Sequence, residues 1–259
     1  MIIQNLIDEI KSQSVLPREK TCDTVKTGDA GADVSHVGVC FMGTAEVIEK
    51  ARALGVEFLI VHEPLYYDHW DRDRENQPLV QKKKKVVEES GMTIWRYHDY
   101  IHALPEDGIE TGVLEKLGWN GHYEGRTFWL MDEARSAEQM AEDVRTKLGC
   151  GGVRISGKTD VPLRLVKVAE GDPGVDTRYT DSLFESGFEG VVFAGEVCEW
   201  ACLEQFRDAA YFGINAAIVV CGHAASEEAG MEAFAAKLQE KHPELKVSFI
   251  PTGEVYRHV

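Results

Sequence analysis

The chain has 259 residues, 44% of them hydrophobic and 28% charged, which allows one large α/β unit or two small ones and excludes a globally disordered or collagen-like polypeptide. Its 28 basic and 44 acidic residues give a formal net charge of −16, and a surface of that sign repels phosphate backbones and anionic membranes, so no nucleic-acid partner is expected. No stretch approaches about 20 apolar residues, and the start MIIQNLIDEIK lacks the basic and long apolar regions of a signal peptide; a cytoplasmic protein with no membrane partner is expected.

Short β-branched runs alternate with helical stretches, the pattern of parallel sheets with crossover helices. HVGVC (36–40) reads as a strand, Thr44 as an N-cap, 45–54 as a helix and VEFLIV (56–61) as a buried strand. A helix over 77–90 and the strand MTIWRY (92–97) complete a βαβαβ layer. That helix carries the basic run Lys82 to Lys85, preceded by Arg72 and Arg74; successive residues spread around a helix, so the run predicts a solvated face. RTFWLM (126–131) begins the middle, and Ser136 with Gln139 reads as a capping box opening a helix to about 148. VRIS (153–156) and LRLVKVA (163–169) follow, and EGDPGVD (170–176) interrupts. Strand GVVFAG (190–195), helix 199–212, strand AAIVVCG (216–222), helix 226–241 and strand KVSFI (246–250) then repeat the rhythm. The glycine-bearing stretch 118–125 suggests an N-terminal lobe over 1–125 and a C-terminal lobe over 126–259.

Six cysteines, at 22, 40, 150, 198, 202 and 221, form no C-x-x-C pair and read as reduced core residues. Cys198 and Cys202 could share a helix face, but no third soft ligand lies nearby in sequence. Three histidine and carboxylate clusters follow the carboxyl ends of expected strands, where open α/β sheets bind ligands. In VHEPLYYDHWD, His62 and Glu63 can aim at one site if the chain turns at Pro64. In RYHDYIH, His98 and His102 stand four apart around Asp99 and Tyr100, one face if the segment is helical. In CGHAASEEAGM, His223 and Glu227 stand one helical turn apart, the spacing that presents two ligands to one metal.

Any one of these histidines alone reads more simply as a hydrogen-bonded structural residue. Converged, they would repel unless a cation neutralised them, and six donors exceed the three or four that one catalytic zinc takes. Imidazole with carboxylate suits zinc, iron or manganese. Asp68, His69 and Asp71 could line the same mouth or belong to a solvated loop, and Glu196 stands at another strand end. No P-loop, dinucleotide fingerprint, nucleophile elbow or zinc-deaminase pattern is present.

GTAEVIEKARALGVEFLIVHEPLYY resembles the strand-helix-strand ending in His-His-Pro-Leu of the NIF-three-like family, also called the GTP cyclohydrolase I type 2 family. WRYHDYIHA resembles its His-Thr-Asn-Leu-Asp element, and VVFAGE with AAIVVCGHAASEEAGM resembles its Thr-Gly-Glu and Gly-His-Tyr-Ala-Thr-Glu signatures. The resemblance runs from about residue 38 to the C-terminus. It implies an α/β protein of two facing lobes, a dinuclear metal centre between them, and a toroidal homohexamer built from dimers or trimers. It further implies His62, His223 and Glu227 as ligands, with His98 matching the histidine of His-Thr-Asn-Leu-Asp. Glu63 stands where the family has its second histidine and His102 where it has the aspartate. The two departures are reciprocal and keep the formal charge, so a two-metal site is expected to persist.

The expected protein is a metal-dependent hydrolase with two divalent ions of iron, zinc or manganese, held by His62, Glu63, His98, His102, His223 and Glu227. It would act on an unidentified small molecule, a nucleotide or phosphoester, through metal-activated water, with Glu196 or Asp99 as general base. The alternative is a non-catalytic metal-binding, storage, delivery or scaffold protein, which the same ligands would serve with closed coordination.

Overall fold

The computed structural model describes residues 1–15, 20–72, 76–125, 127–173 and 178–259. In chain order the elements are α1 (Ile3–Lys11), β1 (Val25–Thr27), β2 (His36–Cys40), α2 (Ala45–Ala53), β3 (Phe58–Val61), α3 (Pro78–Ser90), β4 (Thr93–Arg96), α4 (Asp99–His102) and α5 (Gly108–Leu117). There follow β5 (Gly121–Glu124), β6 (Phe128–Arg135), α6 (Ala137–Lys147), β7 (Arg154–Gly157), β8 (Leu163–Ala169), α7 (Arg178–Glu185) and β9 (Val191–Ala194). A π-helical turn (Glu199–Leu203) leads into α8 (Glu204–Tyr211), followed by β10 (Ala217–Val220), α9 (His223–Lys241) and β11 (Lys246–Phe249). Arg74, Arg126 and positions 174–176 of the sequence reading lie outside the described residues.

Local chemistry accounts for several boundaries. The Thr44 hydroxyl accepts from Val47 N at 3.1 Å and opens α2, and Ser136 and Gln139 form the reciprocal capping box that opens α6. α3 begins at Pro78 and ends before Gly91, whose φ of 67° is the left-handed cap favoured by glycine.

The chain divides into two compact units, Met1–Gly112 with Gly230–Thr252, and Val113–Ala229 with Gly253–Val259. The first holds a sheet of order β1-β4-β3-β2-β11. β11, β2, β3 and β4 run parallel and β1 antiparallel. β2, β3 and β4 are buried along their whole length, as parallel strands covered on both faces must be. One apolar cluster joins α1 (Ile3, Leu6, Ile7, Ile10) and Met231, Ala235 and Leu238 of α9 to the sheet; another joins Val47, Ile48 and Ala51 of α2 and Val87 of α3 to it. β11, expected at the end of the second half, pairs in parallel with β2 of the first sheet. Gly230 marks this return of the chain: a Cβ there would meet Ile109 Cα at 2.5 Å.

The second unit holds a sheet of order β5-β6-β8-β9-β10-β7. β8, β9 and β10 run parallel; the other pairings are antiparallel, so the expectation of a parallel sheet holds only for its centre. β5 and β6 are too close in sequence for a parallel crossover and pair as a hairpin. The helix expected over 199–212 begins as the π-helical turn, and the one expected from 226 begins at His223.

The basic run on α3 also departs from expectation. Lys82 and Lys85 are exposed, but Lys83 is 3% exposed, with its ammonium 4.7 Å from the centre of the Tyr67 ring. Burial pushes its pKa down to about 8, against the nearby charge of Asp71. The six cysteines are free thiols, all buried but the half-buried Cys198. Among the described residues no helix is long and apolar enough to cross a membrane.

Candidate metal centre

Val61 of β3 and Arg96 of β4 are register partners, so the residues just past them leave the sheet side by side. His62 Nδ1 lies 3.0 Å from the Tyr97 carbonyl, His98 Nδ1 lies 3.2 Å from Asp99 Oδ1, and His102 Nδ1 lies 2.8 Å from Asp107 Oδ2. Each ring is thereby anchored through Nδ1 to an oxygen behind it. A carbonyl or carboxylate can only accept, so the proton sits on Nδ1 and the lone pair on Nε2, the tautomer of a histidine that ligates through Nε2. The ring centres of His62, His98 and His102 are 4.7, 5.1 and 4.9 Å apart, and one ligand atom from each lies within 4.8 Å of the other two. Burial pushes His98 down to about 4, helped by the neighbouring His62 and His102 and opposed by Asp99, so it is neutral near pH 7, as ligation requires.

Residues that the sequence reading did not single out hold this trio. The buried Asp23 carboxylate accepts from the backbone N–H groups of His98 (3.0 Å), Asp99 (2.8 Å) and Tyr100 (2.9 Å), satisfying the start of the four-residue α4. Asp107 accepts through Oδ1 from Ile109 N (2.9 Å) and Glu110 N (3.2 Å) at the start of α5, while its Oδ2 anchors His102. Asp107 and Glu110 have capping-box spacing, a signal legible in sequence. The fully buried Arg96 donates to the carbonyls of His62 (2.9 Å) and His69, and lies 3.5 Å from Glu63 Oε2. Glu63 Oε1 is 3.9 Å from His98 Nε2. Asp99 accepts from the Thr21 hydroxyl at 2.9 Å and from Cys22 N at 3.2 Å, and the hydrogen bond with His98 holds it well below the usual carboxylate range.

In the second unit His223 opens α9 directly after β10. Its Nδ1 lies 2.8 Å from Glu196 Oε1 and its Nε2 3.4 Å from Glu227 Oε2. The Glu227 side chain is buried and that of Glu196 is 48% exposed. Backbone packs closely beneath them. Ser226 Oγ donates to the His223 carbonyl at 2.7 Å and accepts from Gly171 N at 2.9 Å, and Glu196 N donates to the Gly171 carbonyl at 2.8 Å. A Cβ at Gly171 would sit 2.4 Å from Glu227 Oε1 and 3.0 Å from His223 Nε2. Gly171 belongs to the segment read from sequence only as an interruption.

The remaining candidates separate. Asp68 binds the Arg72 side chain and Trp70 N, and Asp71 pairs with Lys26 at 2.8 Å; both brace a loop. His69 meets the His98 ring edge-on, with centres 5.3 Å apart. Cys198 and Cys202 enter none of the three-donor groups found among the described residues.

A two-unit α/β protein with histidine and carboxylate donors at its strand ends is the class that fold and site define. The family model described as Duf34/NIF3 (NGG1p interacting factor 3) matches residues 5–254, and the chain belongs to that family. Among solved structures, it is similar to a Bacillus cereus protein related to NIF3, at 15% identity and TM-score 0.76 over 100% of this chain and 99% of that one. It is also similar to reduced HcgD from Methanocaldococcus jannaschii, at 17% identity and TM-score 0.72 over 96% and 98%. A NIF3 superfamily protein from Sphaerobacter thermophilus is similar at 15% identity and TM-score 0.56 over 95% and 96%. At these identities the likeness shows the fold. No curated protein matches the chain in sequence.

Proposed function

We propose that this protein is a metal-dependent hydrolase acting on a nucleotide or phosphoester, with His62, Glu63, His98, His102, His223 and Glu227 as the ligands of two divalent ions of iron, zinc or manganese. The observation that carries the reading is the trio of imidazoles, each anchored through Nδ1 to an oxygen of its own. Structural histidines do not need a common tautomer, whereas ligating histidines are held in just this way. The donor chemistry fits: neutral imidazole with carboxylate suits all three ions.

A bound ion would supply Lewis acidity and lower the pKa of water from 15.7 toward about 7. The chain's own residues divide the other tasks. Glu196, half exposed and joined to His223 through Oε1, can take the proton of the attacking water at Oε2. Asp99 is the poorer base, because its carboxylate is engaged by Thr21, Cys22 and His98; it orients His98. A homohexamer, which the resemblance implies, belongs to the same reading and is measured by native mass.

The test is elemental mass spectrometry of tag-free protein beside His62→Ala, His102→Ala and His223→Ala, joined to a panel of nucleotides and phosphoesters. Loss of about two ions per chain in the variants, together with loss of turnover, supports the proposal. Full metal occupancy without turnover across the panel leaves the storage or scaffold reading, and no uptake of any of the three metals refutes both.

A further inference from the structure

A second gathering of donors lies beside the histidine trio in the first unit, built from residues that the two-ion reading does not use as ligands. Cys22 Sγ, a ring nitrogen of His69 and a carboxylate oxygen of Asp99 all lie within 4.8 Å of one another. They come from three separate stretches of chain: the segment before β1, the loop after β3 and the first residue of α4.

Specific contacts bring these stretches together. Cys22 N and the Thr21 hydroxyl both donate to Asp99 Oδ2, at 3.2 and 2.9 Å, which straps the Cys22 backbone onto α4. The His69 carbonyl accepts from Arg96, the same buried guanidinium that donates to the His62 carbonyl. One side chain therefore sets the backbone of a donor in each cluster. The carboxylate of Asp99 faces both, since its Oδ1 anchors His98 Nδ1.

Cys22 does not have the surroundings of a core cysteine. A buried thiol that only fills space packs among apolar side chains; Cys22 Sγ lies 3.5 Å from Asp23 Oδ1 and beside Asp99. A sulfur 3.5 Å from one carboxylate and within 4.8 Å of a second carboxylate and an imidazole nitrogen is an arrangement that a cation stabilises.

We propose that Cys22, His69 and Asp99 form a further divalent-cation site, distinct from the two-ion centre, which takes a thiophilic ion of the zinc class. With metal–sulfur and metal–nitrogen bonds of about 2.3 and 2.1 Å, tetrahedral donors stand roughly 3.6 Å apart. The present donor atoms lie within 4.8 Å of one another, so contraction needs at most about 1.2 Å, and the exposed His69 side chain can supply its part by rotation. On binding, the Cys22 thiol gives its proton to solvent and the sulfur lone pair forms the metal–sulfur bond; no electron is transferred. Sulfur, nitrogen and oxygen together select zinc or cobalt over manganese and magnesium.

Cobalt(II) titration of chelator-stripped, reduced, full-length protein tests the site, because a thiolate on cobalt gives a near-ultraviolet charge-transfer band that imidazole and carboxylate ligands do not. The wild type is expected to show the band, Cys22→Ser to lose it, and His69→Ala, a change at an exposed position, to weaken it about 10-fold or more in cobalt affinity. His62→Ala is expected to keep it. Absence of the band in the wild type, its persistence in Cys22→Ser, or wild-type affinity in His69→Ala overturns the proposal. If Cys22→Ser does not fold by circular dichroism, the His69→Ala titration decides alone. Failure of the two-ion reading shows instead as unchanged metal content in His62→Ala and His223→Ala, so the two failures are separate.

Discussion

Gly171→Ala is the substitution that best separates building the second unit from arming its donors. Gly171 has a φ of 65°, a left-handed conformation that an L side chain adopts at a cost of roughly 1–2 kcal/mol. The added Cβ would also stand 2.4 Å from Glu227 Oε1 and 3.0 Å from His223 Nε2, so the carboxylate must move by about 1 Å to reach ordinary contact. The end of a glutamate side chain yields more easily than backbone, and the expected loss of stability stays near 1–2 kcal/mol, a fall in Tm of roughly 2–8 °C. The effect on metal is larger, because a ligand oxygen displaced by that much lies outside the tolerance of about 0.2 Å on coordination distances. Affinity for zinc is expected to fall about 10- to 100-fold. Gly187→Ala is the control: it has a φ of 75° and nothing within 4 Å of the added carbon, so it carries the backbone strain alone. Thermal unfolding of stripped protein and zinc titration against a chromophoric chelator read the two effects. Equal zinc affinity in the two variants refutes the argument that Glu227 is a donor placed by the Gly171 backbone.

Three further outcomes follow from the geometry. Asp107→Ala removes the α5 cap and the anchor of His102, lowering stability by about 1 kcal/mol and metal affinity about 10- to 100-fold; Asp107→Asn, which keeps a capping oxygen, is expected to recover the stability but not the affinity, by urea unfolding and metal titration. Asp23→Ala leaves three N–H groups at the start of α4 without their acceptor and is expected to lower stability by roughly 3 kcal/mol in urea, whereas Asp23→Asn recovers part of the loss. Burial holds the Lys83 pKa at about 8 in the folded chain, against 10.5 for an ordinary lysine, so between these values the unfolded chain binds the extra proton. Its contribution is therefore unfavourable in full below pH 8 and relieved as pH rises toward 10.5. Lys83→Met is expected to raise Tm at pH 7 and to lose most of that gain at pH 10, by calorimetry of both proteins; an equal difference at the two pH values would falsify the burial argument.

How much of this was legible in sequence depends on the range of the contacts involved. β2, β3, β4, β9 and β10 are buried along their length, and such strands read as continuous apolar runs. The caps at Thr44 and Ser136 involve residues three apart and read equally well. α1 was not among the expected elements, although Ile3, Leu6, Ile7 and Ile10 carry the i, i+3, i+4, i+7 spacing of a buried helix face. Lys83 also had a visible sign, because it shares a face of α3 with the buried Val80 and Val87. α4 had none: four residues make no periodic pattern, and Asp23, whose carboxylate accepts from their first N–H groups, lies 75 positions from His98. The histidines were found because imidazoles at strand ends are conspicuous. Their supports were not, because an aspartate that holds a ring and one that caps a turn look alike in sequence.

The two departures from the pattern that the resemblance implies each fit their own surroundings. An aspartate at 102 would face Asp107, whose Oδ2 now lies 2.8 Å from His102 Nδ1, and two carboxylates at that spacing cannot both be ionised. A histidine at 63 would leave the fully buried Arg96 without the carboxylate 3.5 Å away, with the carbonyls of His62 and His69 still accepting from it. In this chain Asp107 stands behind His102 as its anchor, while Glu63 also lies beside the guanidinium that fixes the backbone of His62 and His69. Restoring one family residue alone therefore breaks a charge pairing. Glu63→His is expected to lower stability by roughly 3 kcal/mol, the lower part of the range for a buried charge stripped of its partner, since the carbonyls still hold Arg96. Adding Arg96→Met to Glu63→His removes the stranded charge and is expected to recover part of that loss in urea unfolding. A double variant no more stable than Glu63→His would show that Glu63 acts on something other than Arg96.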